Sequence, residues 1–191
     1  MTIPELIRPQ VIELFDQMDR AYDSAAHKSG FVCNGCKDNC CMTRFYHYTL
    51  LEYLYLKSGI AKLAPDALEK VRAQAGSALE QMAKLEQTGN PIRVMCPLNK
   101  TGRCLVYTHR PMICRLHGIP HVLRRPDGQL QSGPGCDDFY AQCGASTENH
   151  LDRTPLYIAM AKLEQQLRKD WGYNAKIKMT IAEIVLDDRL L

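Results

Sequence analysis

Four cysteines crowd into nine residues of this chain, Cys33-Asn34-Gly35-Cys36-Lys37-Asp38-Asn39-Cys40-Cys41, and the remaining five are Cys96, Cys104, Cys114, Cys136 and Cys143. All nine therefore fall between Phe31 and Gly144. Cysteines used as small core hydrophobes would be spread through every amphipathic segment. A chain of 191 residues, 46% of them apolar, can also build a core without disulfide staples. The confinement points to a local function for the thiols. It also requires an irregular centre that regular elements must surround.

The flanking segments supply those elements. Ile7, Val11, Leu14, Phe15, Met18, Tyr22 and Ala25 recur at intervals of three or four, which predicts an amphipathic helix ended by Ser29-Gly30. Thr49-Leu50-Leu51-Glu52 has the capping-box pattern and opens a helix read as stopping at Ser58-Gly59. Pro65-Asp66 opens a longer helix with Leu68, Val71, Leu79, Met82 and Leu85 on its buried side, closed by Gly89-Asn90-Pro91. Residues 94–98 and 104–107 flank the turn Asn99-Lys100-Thr101-Gly102 and read as a hairpin. A second small hairpin is expected over 119–130 around Pro126-Asp127-Gly128. Thr154-Pro155 starts a helix carrying Leu156, Ile158, Ala159, Ala161, Leu163 and Leu167, and Thr180-Ile181-Ala182-Glu183 starts a short last one. The expected fold is mainly α with small β-hairpins, a helical shell around an irregular cysteine-rich metal-binding centre. One domain is expected over 1–191, with a core at about 30–136 and a helical part over 150–191.

The thiols suggest soft-metal chemistry. Thiolates suit zinc, copper(I) or iron–sulfur clusters. Cys33-x-x-Cys36 lets two sulfurs converge from one turn, and Cys40 and Cys41 return three and four residues later. Cys96 and Cys104 stand on either side of the first hairpin turn, Cys114 follows Arg110-Pro111, and Cys136 follows Gly133-Pro134-Gly135. These eight are the expected metal ligands, with zinc or an iron–sulfur cluster as cofactor, and Cys143 is left over. His117, in a Cys-x-x-His interval after Cys114, is a neighbour of the ligands rather than one of them, and His47 reads as packing.

Charge and flanks narrow the class. No Asp or Glu occurs from Gln87 to Pro126, while Arg93, Lys100, Arg103, Arg110, Arg115, Arg124 and Arg125 do. These cations can offset an anionic thiolate site; an anionic partner and a plain solvated face are the alternatives. The net charge is only +3, which disfavours a dedicated nucleic-acid binder. The N-terminal segment has neither the apolar stretch nor the cleavage site of a secretory signal, and no apolar run is long enough to span a bilayer. A reducing, cytoplasmic setting is expected.

The combination C-x2-C-x3-C-C, Cys96-Pro97-Leu98, Gly102-Arg103-Cys104 with Tyr107, Arg110-Pro111 and Cys114-Arg115 resembles the YkgJ-type cysteine-cluster proteins over roughly residues 30 to 136. The resemblance implies a bacterial cytoplasmic protein with a zinc- or iron-chelating domain and metal ions as its partners. Two other readings stand beside it. One is an enzyme, thiol-dependent or related to methyltransferases, although no glycine-rich cofactor loop is present. The other is an RNA-binding zinc module, weakened by how few aromatics interleave the arginines.

Overall fold

The computed structural model describes residues 2–33, 40–144 and 150–189. It is mainly helical, with short strands. The chain divides into two compact units. The first comprises Met1–Pro4, Cys41–Pro111 and Leu167–Leu191; the second comprises Glu5–Cys40 and Met112–Gln166. No helix among the described residues is long and apolar enough to cross a membrane.

In the first unit the central element is α2 (Leu50–Ile60). Its apolar residues form no single stripe, because the helix is buried on nearly every side. Thr49 caps it, its hydroxyl accepting the Glu52 amide at 3.1 Å. Packed in the same unit are α3 (Pro65–Gln87) and α7 (Ile181–Leu186). The inward side of α3 is Val71, Ala75 and Ala78. Leu79, Met82 and Leu85, expected there, are only half-buried, because alanine lets the neighbouring helix approach closely. Thr180 and Glu183 form a complete capping box at the start of α7. The two capped helices begin side by side, since His47 and Met179 exchange backbone hydrogen bonds of 2.8 and 3.1 Å. At the other end of α7, the buried Lys57 ammonium donates to the Asp187 carbonyl at 2.7 Å, placing a cation where helix carbonyls lack partners. Burial pulls the Lys57 pKa down even with Asp188 nearby.

Gly59 does not stop α2; it lies inside it. A Cβ there would stand 2.6 Å from the His109 side chain, which stacks on Tyr55 at 4.9 Å. The glycine serves close approach, not termination. Gly59→Ala is therefore expected to destabilise the protein by about 1–3 kcal/mol although alanine is the better helix former. A urea titration checks this, and a stabilised variant would refute it.

The first hairpin is shorter and shifted relative to the sequence reading. It consists of β1 (Asn99–Lys100) and β2 (Arg103–Cys104). Only Thr101 and Gly102 form the turn, at φ +50° and +84°, and positive φ at both positions is what a tight two-residue hairpin needs.

The second unit contains α1 (Arg8–Ser29), which buries Val11, Leu14, Phe15 and Met18 and ends at Gly30 with φ +70°. Short α4 (Met112–Leu116) packs against it. Here Arg115 is buried, ion-paired to Asp19 and bonded to the Phe15 carbonyl at 3.4 Å. This arginine is tied to α1 and is not spare charge. The second hairpin is formed as expected by β3 (His121–Arg124) and β4 (Leu130–Gly133). Two elements had no sequence forecast. Strand β5 (Leu151–Asp152) pairs parallel to β3, and α5 (Asp137–Cys143) is capped by the Cys136 sulfur, which accepts the Phe139 amide at 3.4 Å. Helix α6 (Thr154–Trp171) begins at the forecast Thr-Pro pair. Leu156, Met160 and Leu167 are buried on it, whereas Ile158, expected inside, is 51% exposed.

Candidate functional site

The described cysteines stand as thiols, none in a disulfide. The boundary between the units separates Cys40 from Cys41, so the tandem pair is shared out.

The first unit holds Cys41, Cys96 and Cys104. The Cys96 amide donates to the Cys41 carbonyl at 2.8 Å, which brings the two segments together. Burial pushes the Cys96 thiol up to about 12, and the Cys41 and Cys104 sulfurs add to the rise against the amides of Leu98 and Asn99. Cys104 is raised by burial too; the Val106 amide and Arg110 pull the other way. Arg110 lies 3.6 Å over the Tyr107 ring, and its Nε donates to the Tyr107 carbonyl at 3.0 Å. Both inner thiols therefore keep their protons at neutral pH, which makes them weak nucleophiles.

The second unit holds Cys33, Cys40, Cys114, Cys136 and Cys143. Three of them surround a residue that the sequence reading assigned to core packing, Tyr22 on α1. Its hydroxyl lies beside the Cys33 sulfur, and the Cys136 and Cys40 sulfurs are its other neighbours. Burial first, and then these three thiols, drive the phenol far above its ordinary pKa. The segment carrying Cys33 is fixed by several contacts. The Phe31 amide bonds back to Ala26, its ring meets Phe139 at 5.1 Å, and the Gln142 amide group clamps the Val32 backbone with two bonds of 3.1 Å. Cys136 is fixed separately. Its amide donates to the Gly118 carbonyl at 3.0 Å, and a Cβ on Gly118 would lie 3.5 Å from the Cys136 sulfur and 3.6 Å from the Tyr22 hydroxyl. Cys33 is exposed; Cys40 and Cys136 are half-buried. Cys114 stands on α4 and Cys143 ends α5. Cys36 lies outside the described residues.

The metal-binding function expected from the spacing is corrected here. Among the described residues, no group of three or more His, Cys, Asp or Glu side chains is arranged to hold a metal ion. The visible reason lies in the second unit, where a buried phenol hydroxyl is the shared neighbour of Cys33, Cys136 and Cys40. The zinc-like or cluster-like ligand spacing of the sequence thus has no corresponding site among the described residues. No family model, curated protein or solved structure matches the chain.

Three basic residues of the acid-free stretch have partners other than a thiol. Arg124 closes the second hairpin by donating to Gly128 at 3.2 Å, Arg125 pairs with Asp127, and Arg115 pairs with Asp19. Arg110 acts on the Cys104 thiol. Tyr22 was missed because a tyrosine on an apolar stripe reads as core. The available signal was its place two turns before the cysteine loop, at the polar-tipped end of that stripe.

Proposed function

We propose that the protein is a thiol–disulfide redox protein in which Cys33 is the attacking thiol and Cys136 or Cys40 the resolving one. The observation that carries this reading is the Tyr22 hydroxyl, which adjoins exposed Cys33 together with Cys136 and Cys40. A solvent-accessible thiol beside potential resolving thiols is the arrangement that reversible oxidation uses. The Cys33 thiolate attacks a low-molecular-weight disulfide RSSR, forming a mixed disulfide and releasing RS⁻, which takes up a proton. A second thiol then loses its proton and attacks the Cys33 sulfur, expelling the other RS⁻. Two protein thiols are oxidised to one disulfide, and RSSR is reduced to two RSH. Tyr22 stays protonated throughout, because its pKa is raised, so it remains an O–H donor to the sulfur as charge develops there. The raised thiols Cys96 and Cys104 take no attacking part.

Treatment of the reduced protein with excess oxidised glutathione tests the reading. Intact mass should fall by two hydrogens, and peptide mapping should link Cys33 to Cys136 or Cys40. Cys33→Ser should slow the reaction ~10-fold or more, while Cys143→Ser keeps the wild-type rate. Tyr22→Phe should slow it roughly fivefold, the worth of one hydrogen bond of about 1 kcal/mol. If Cys33→Ser forms an internal disulfide as fast as wild type, the assignment is wrong.

A further inference from the structure

Within the first unit, the imidazole of His109 is seated from several sides. His109 ends the turn Tyr107–His109, and its amide donates to the Val106 carbonyl at 2.8 Å. The ring stacks on Tyr55 at 4.9 Å and lies against Gly59, where an added Cβ would stand 2.6 Å from its Cβ and Cγ. The Tyr55 hydroxyl in turn donates to the Thr108 carbonyl at 3.0 Å, tying the same turn to α2. Both ring nitrogens reach defined partners. Nδ1 lies 2.9 Å from the Thr108 hydroxyl, and Nε2 lies 3.2 Å from the Lys62 ammonium.

These two distances fix the tautomer. An ammonium has three donors and no acceptor, so Nε2 must accept from Lys62. A neutral imidazole carries one proton, which then sits on Nδ1 and is donated to the Thr108 oxygen. Hydroxyl, imidazole and amine in that order reproduce the logic of an activated nucleophile: a base within hydrogen-bond reach, itself oriented by a third group. Lys62 follows the end of α2, where its own amide donates to the Gly59 carbonyl at 3.1 Å. It is exposed, so a small molecule reaches its amine.

We propose that Lys62 is a site of Nζ-acylation by a small acyl thioester, with His109 as its general base. Lys62 releases one proton to water, and its amine attacks the thioester carbonyl, forming the C–N bond. The nitrogen of the tetrahedral adduct then carries a surplus proton, which passes to His109 Nε2. The C–S bond breaks, the thiolate leaves with the electron pair, and the imidazolium returns the proton to it. An ammonium and a thioester thus give an amide, a thiol and one proton. The constellation supplies a nucleophile and a base, so it suits a donor whose leaving group departs readily. A thiolate, with an ordinary thiol pKa of about 8.5, is a far better leaving group than an alkoxide. No redox step is involved, and the proposal is independent of the thiol–disulfide chemistry above.

Incubation of the reduced full chain with acetyl-coenzyme A near neutral pH tests it. Hydroxylamine then strips acyl groups from cysteines, and peptide mapping over time gives the rate at each lysine. Acetylation of Lys62 should outpace that of the exposed Lys70 and Lys84 on α3 by ~10-fold or more. Those two lysines serve as internal references in every variant. His109→Gln should bring Lys62 down to their rate. Thr108→Val removes the acceptor that holds Nδ1–H and should slow Lys62 about threefold. The proposal is overturned if wild-type Lys62 is acetylated no faster than Lys70 and Lys84, or if folded His109→Gln keeps the wild-type rate at Lys62. Should that variant fail to fold, an undiminished Lys62 rate in Thr108→Val overturns it instead.

Discussion

Phe139→Ala is expected to cost about 3–5 kcal/mol, the usual range for deleting a fully buried aromatic ring. Phe139 has no exposed surface, and its ring meets Phe31 at 5.1 Å and Tyr140 at 5.7 Å. Its backbone amide is also the donor that the Cys136 sulfur accepts at the start of α5. The ring thus holds both sides of the thiol group: the segment before Cys33 through Phe31, and the helix beginning at Cys136. Two effects should appear together. The urea midpoint should fall steeply, and internal disulfide formation at Cys33 should slow in the fraction that remains folded. Phe139→Leu keeps most of the volume and should cost about 1.5 kcal/mol or less. A loss below about 1 kcal/mol for the alanine variant would show that the site collapses freely, and that Phe139 does not fix the thiols.

The parts of the fold legible in the sequence are those whose signal is local. The Thr49 cap on the Glu52 amide and the complete capping box of Thr180 with Glu183 appear where the four-residue patterns placed them. The glycine stop of α1 and the Thr-Pro start of α6 are local as well. Errors arose where a partner distant in sequence decides the outcome. Gly59 reads as a stop until His109 is seen against it. Strand β5 exists through its parallel register with β3, which no periodicity over two residues can announce. The inner face of α3 combines Val71 with the alanines Ala75 and Ala78, small residues that let a neighbouring helix come close.

The candidate site shows the same division more sharply. Cysteine spacing states which sulfurs are near one another along the chain. It does not state where their Cβ–Sγ bonds point, what lies between them, or whether burial leaves their protons in place. Cys40 and Cys41 are adjacent in sequence yet belong to different units. Cys33 and Cys136 are far apart in sequence yet share one tyrosine hydroxyl. The residue that most changes the reading, Tyr22, carried no motif and became informative through its surroundings, a phenol among thiols.

Acidification should destabilise the protein between about pH 6.5 and 4, through His47 above all. This imidazole is 1% exposed, and neither ring nitrogen has a hydrogen-bond partner. Burial lowers its pKa to about 4; the Glu52 carboxylate stands off at 4.0 Å through Oε1, while its Oε2 accepts from the Thr49 hydroxyl at 2.7 Å. The unfolded chain binds the proton near pH 6.5, so it takes up more protons than the folded one across the interval. The stabilising contribution is complete above pH 6.5 and is lost as pH falls toward the folded value. The shift amounts to about 3 kcal/mol in full, of which about 2–3 kcal/mol is gone by pH 4.5. His121 has a lowered pKa as well but is more exposed, so solvent screening leaves it a smaller share. Asp187 and Asp188 are held below the ordinary carboxylate range, by Arg189 and Arg72 respectively, and contribute only at lower pH. The measurement is urea unfolding at intervals from pH 8 to pH 4.5, for wild type and His47→Phe. The comparison uses each protein's change with pH, because any overpacking by phenylalanine adds a constant offset. His47→Phe should lose about 2–3 kcal/mol less than wild type over that range. Parallel curves would show that His47 is protonated in the fold without penalty, and would remove burial as the force that sets its charge.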